Sequence, residues 1–95
     1  MAQLVTRVPM EQAEITRRVR AELGQISELR WQKINLLPIQ SELKRKDQRI
    51  EGLTLDDIRT ALLNIFKYAV GQDPGKVWVG DIDSHGECVV LMNLE

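Results

Sequence analysis

Val5 to Gly24, "VTRVPMEQAEITRRVRAELG", admits two readings, and the fold turns on which one holds. From Glu11 to Leu23 the apolar residues Ile15, Val19 and Leu23 recur every four positions, which places them on one helical face. Pro9 suits the first turn or the residue before it, Glu11 and Glu14 suit the positive end of the dipole, and Gly24 is a natural C-cap. Ahead of Pro9 the chain is either the front of the same surface helix or a short strand. As a strand, Gln3 to Val8 would point Leu4, Thr6 and Val8 to one face and Gln3, Val5 and Arg7 to the other.

Beyond Gly24 a second helix is expected from Ser27, whose hydroxyl can cap the free amides, to Leu37, with Leu29, Trp31 and Ile34 supplying apolar bulk. Pro38 removes a donor and disfavours helix at Leu37, so it is read as the stop. A competing reading passes through Gly24 and runs one helix from Met10 to Leu37, at a cost of about 1 kcal/mol for a mid-helix glycine. Gln40 to Gly52, with Lys44, Arg45, Lys46 and Arg49, reads as a solvated helix end running into a linker.

A third helix opens with the capping pattern Thr54-x-x-Asp57. Ile58, Leu62, Ile65 and Ala69 form its stripe, Leu55, Leu63, Phe66 and Val70 widen it, and Gly71 closes it. "QDPGK" is a turn, and "VWVGDID" and "CVVLMNLE" are β-rich runs joined by a loop in which Gly86 can take positive φ. The expected fold class is therefore α+β. A helical or strand-helix-helix unit spans residues 1–50, and a helix with an antiparallel β-hairpin spans 51–95, sharing one core with the first.

Composition narrows the function classes. Apolar residues at 43% and charged residues at 28% are ordinary for a globular chain, and 95 residues make a small core for which a homodimer is the expected remedy. The net charge of -1 hides an asymmetry: residues 1–50 hold 10 basic against 6 acidic groups, residues 51–95 hold 3 against 8. The first half is suited to an anion, and the acidic second half to a protein partner. One cysteine and one histidine supply neither a disulfide nor a zinc set. With no apolar run of membrane length and no leader pattern, the chain reads as cytoplasmic, without membrane contact.

Over about residues 2–37 the order strand, "RVP", helix ending "ELG", then "SELR" resembles the ribbon-helix-helix DNA-binding family. The resemblance implies a homodimer whose paired strands enter the major groove of double-stranded DNA. It places Gln3, Val5 and Arg7 on base edges and Ser27 on phosphate at a helix N-terminus, with Arg30 beside it. The function so implied is a transcriptional repressor or antitoxin. The alternative is a protein-protein interaction module, an adaptor or inhibitor that leaves DNA alone. In either case Leu4, Val8, Trp31 and Trp78 are the expected dimer or partner contacts.

Other motifs carry less. "DIDSHGE" echoes the first half of a calcium loop, but Met92 stands where the closing carboxylate belongs and both flanks read as strands. A winged-helix reading of Thr54 to Val70 meets an Asp-Asp start that repels phosphate. His85 and Cys88 lack a third, orienting group, and no phosphate loop or dinucleotide glycine pattern is present. No enzyme, catalytic residue, metal or cofactor is expected.

Overall fold

The computed structural model describes residues 11–24, 31–47 and 52–93. Gln3, Leu4, Val5, Arg7, Val8, Ser27 and Arg30 therefore lie outside the described residues, and with them the question of strand or helix ahead of Pro9. Helix α1 covers Gln12–Leu23 and buries Ile15 and Val19, the two central members of the four-residue repeat. It stops where the sequence places its cap: Gly24 takes φ 70° and its N–H bonds back to Arg20 O. The continuous helix from Met10 to Leu37 is thereby excluded.

The expected second helix is also corrected. Trp31–Asn35 is a strand, β1, and the helix α2 begins only at Leu36 and runs to Lys46. Asn35 caps it, its side-chain oxygen accepting from Leu37 N. Pro38 is the third helical residue, inside the first turn, where the missing N–H has no intrahelical acceptor to lose and the ring meets no helical carbonyl before it. The proline thus opens a helix rather than ending one. Ile39 and Leu43 are buried on α2, so Gln40 to Lys46 is structured, and Lys44, Arg45 and Lys46 sit at the negative end of its dipole.

Helix α3, Leu55–Ala69, starts on the expected capping box, with Thr54 Oγ1 accepting from Asp57 N and the Asp57 carboxylate accepting from Thr54 N. It buries Ile58, Ala61, Leu62, Ile65 and Phe66; Ala69, expected on the stripe, is exposed. Gly71 at φ 75° turns the chain out of the helix. A 3-10 turn, Pro74–Lys76, leads into β2, Val77–Val79, and β3, Glu87–Met92, follows. The run "VWVGDID" is strand over only its first three residues.

β3 is the central strand, paired antiparallel with β1 on one side and β2 on the other. The fold is α+β, and its sheet is a three-stranded one rather than an isolated hairpin, which would be marginal in water. α3 packs on β2, α2 touches β3, and α1 lies along α3. One apolar cluster runs through all of these elements, from Ile15 and Val19 through Phe66 to Val79, Val90 and Met92. Among the described residues no polar or charged side chain is buried.

Candidate interaction surface

The pleat divides the sheet residues between two faces. Ile34, Cys88, Val90, Met92, Val77 and Val79 are buried against the helices. The alternate positions face away. The register sets Trp31 opposite Leu91 on one side and Trp78 opposite the same Leu91 on the other. The three side chains thus form a single rank, Trp31–Leu91–Trp78, straight across the sheet. They are 65%, 39% and 55% exposed.

The sequence supplies local reasons for this arrangement. Trp and Leu alternate with inward-facing neighbours, so pairing β1 to β3 in this register is what keeps Ile34 on Cys88 inside. Trp78 also depends on Gly80. A Cβ there would lie 2.8 Å from Trp78 Cη2 and 3.2 Å from Cζ3, so the outer edge of the indole rests over the Gly80 backbone and would have to shift for any larger residue. With an aromatic side chain covering roughly 150–250 Å² when fully buried, the rank exposes on the order of 300 Å² of apolar surface. A patch of that size falls within the range of the largest apolar patch on a typical monomer, which is often a functional one. A shallow recess of about 270 Å³ adjoins it, bordered by Trp78, Leu91, Lys76 and Asn93.

Toward its other end the same face turns ionic. Lys33, in register with Val89, lies 3.6 Å from Glu87 and 3.8 Å from Asp83. Asp83 Oδ1 accepts from Glu87 N and His85 N, and these bonds hold its carboxyl below the usual aspartate range. Gly86 at φ 79° completes the loop, as its position suggests. Behind the sheet, Arg59 of α3 donates from Nε to Gly80 O at 2.6 Å and from an Nη to Val79 O at 2.7 Å, fixing the end of β2 to the helix.

The other residues considered in the sequence scatter. Cys88 is buried and its thiol pushed up by that burial, whereas His85 is exposed on the loop. Among the described residues no group of three metal-ligating side chains converges, and no helix is long and apolar enough to cross a membrane. A cleft of about 420 Å³ between α1 and the end of α2 is lined by Arg17, Arg18, Glu22, Lys46 and Asp47, but its cations meet carboxylates of this chain. Arg17 and Arg18 bond Glu14, Arg18 also reaches Asp47 at 3.3 Å, and Lys46 bonds Glu22.

Of the two interface residues within the described chain, Trp31 was expected on a helix and Trp78 on a hairpin. Their meeting across one strand depends on β1, and so does the role of Leu91 between them. The alternation Cys88, Val90, Met92 against Val89, Leu91 was a readable signal for the face of Leu91, but nothing marked its neighbour while residues 31–35 were read as helix. Comparison with family models, with curated proteins and with solved structures finds no match.

Proposed function

We propose that the protein is a small, non-enzymatic protein-protein interaction module that binds through the outer face of its sheet. The observation that carries this reading is the Trp31–Leu91–Trp78 rank, which the fold holds in register yet leaves uncovered. Tryptophan is the residue type most enriched where interfaces hold their energy, and rigid strand positions present it at low entropic cost. The adjoining acids, Asp83 and Glu87, belong to the acidic half of the chain and disfavour phosphate.

The second reading is the DNA-binding repressor, which rests on Gln3, Val5, Arg7, Ser27 and Arg30 and on the basic first half. Arg17, Arg18, Arg45 and Lys46 are engaged by carboxylates of the same chain, which reduces what they can offer to phosphates. A random-sequence DNA pool titrated at low and at physiological salt separates the two. The interaction-module reading expects no enriched sequence. An enriched site whose specificity relaxes by roughly 1–3 kcal/mol per base contact in Arg7→Ala would replace it with the repressor reading.

A further inference from the structure

Resting on the interaction-module reading, we infer that the occupant of the sheet face is a second copy of this chain, related by a two-fold axis passing over Leu91. The rank is self-complementary: an aromatic, a leucine and an aromatic, each on its own strand of an antiparallel sheet. A two-fold axis in the interface plane along β3 lays Leu91 on the partner's Leu91 and Trp31 on the partner's Trp78. An axis along the rank instead pairs each tryptophan with its own equivalent. Either way every large apolar group meets another, which is the condition for an isologous contact.

Area and charge agree with a second copy. The rank contributes on the order of 300 Å² of apolar surface, and face-to-face sheet packing would add Val89 and the stems of Lys33 and Lys76 around it. Doubled over two copies, this surface lies below the roughly 1,200 Å² at which stable specific interfaces begin, the range of weak and transient association, so the dimer is a concentration-dependent one. No charge lies in the rank itself. Lys33, at its border, brings Glu87 and Asp83 from its own chain, so closure buries no unpaired Lys33 ammonium. A nucleic acid or an anionic membrane would instead set phosphates beside those carboxylates.

Sedimentation of the full chain from submicromolar to about 100 µM should pass from monomer to dimer, with tryptophan emission shifting to shorter wavelength over the same range. Leu91→Lys should raise the dissociation constant by about 100-fold, because two ammonium groups would meet at the axis. Leu91→Cys, whose partner would sit about 10 Å away across two packed sheets, should be joined into a covalent dimer by a short bis-maleimide of that span, and Ala13→Cys, on the exposed side of α1, should not. If Leu91→Lys fails to fold by circular dichroism, the cysteine pair decides. A monomer at every concentration, a dimer indifferent to Leu91→Lys in folded protein, or equal crosslinking from Ala13→Cys overturns the proposal. A monomer that also enriches no DNA removes the second copy and leaves the interaction-module reading standing, whereas an enriched DNA site removes that reading itself.

Discussion

The two faces of the sheet share one backbone and have opposite chemistry. Inward, Ile34, Cys88, Val90, Met92, Val77 and Val79 are apolar groups, four of them β-branched, buried in the core that the sheet shares with the helices. Outward, the same strands carry the chain's two tryptophans and Leu91. The inner set is committed to folding, since its burial is what holds the helices on the sheet. The outer set is not committed to folding in the same way, and its large side chains leave much of their surface still exposed. Comparing the effect of mutation on the two faces is therefore a test of which residues serve the fold and which serve a partner.

The largest effect belongs to the layer behind the inner face. Phe66, fully buried on α3, should lose about 3–5 kcal/mol of unfolding free energy on Phe66→Ala, read from a denaturant midpoint. Next comes a pair of adjacent residues on β3. Val90→Ala, inward, should cost roughly 2 kcal/mol, while Leu91→Ala, outward, should stay within about 1 kcal/mol at submicromolar protein. Equal losses at the two positions would mean that the outer face is structural, and the comparison would collapse. A gap that closes only as protein concentration rises would instead sharpen it, because Leu91 would then contribute through association.

Much of the inner face was legible and most of the outer face was not, for a physical reason. Helices α1 and α3 announce themselves through complete local grammar: a four-residue apolar repeat ended by Gly24, and a Thr54–Asp57 capping box followed by a wide stripe. β1 has no such grammar. Its residues Trp31–Asn35 present one buried side chain, Ile34, and their strand character comes from pairing with Glu87–Met92, more than fifty residues away. Asn35 followed by Pro38 was the available clue, since an N-cap residue and a first-turn proline mark a helix start as readily as a stop. With β1 misread, Trp31 and Trp78 could be named as interface residues but not brought together.

A smaller effect tests how the outer face is anchored to the inner one. Arg59 donates to the carbonyls of Val79 and Gly80, and Trp78 rests over Gly80 on the other side of the strand. Arg59→Met keeps the aliphatic stem and removes both charge-assisted bonds, at an expected cost of about 1–2 kcal/mol, since each carbonyl can recover part of its loss to water. The tryptophan emission should change with it, because the end of β2 is no longer held and the indole of Trp78 loses its seat. A full loss of stability with unchanged emission would show that Arg59 supports the helix layer alone.

The smallest effect concerns the ionic end of the outer face and depends on pH. The Asp83 carboxyl is held below its ordinary range first by the N–H of Glu87, then by that of His85, with Lys33 adding attraction. A group whose folded pKa is depressed contributes stability that is present above its unfolded pKa and lost as pH falls through the folded one. Asp83→Asn keeps an oxygen that can accept from the loop amides but removes the charge, so at neutral pH the variant should be slightly less stable. As the pH is lowered through and below the aspartate range, the wild type loses that same contribution and the two unfolding midpoints should converge. Because Glu87, 3.6 Å from Lys33, still pairs that ammonium at the border of the rank in the variant, the substitution should leave the tryptophan emission and any concentration-dependent association unchanged. A difference that stays constant into acid would assign the loss to loop geometry rather than charge. A shift in association would mean that the ionic end belongs to the docking surface, extending the uncommitted region from the rank to the whole outer face.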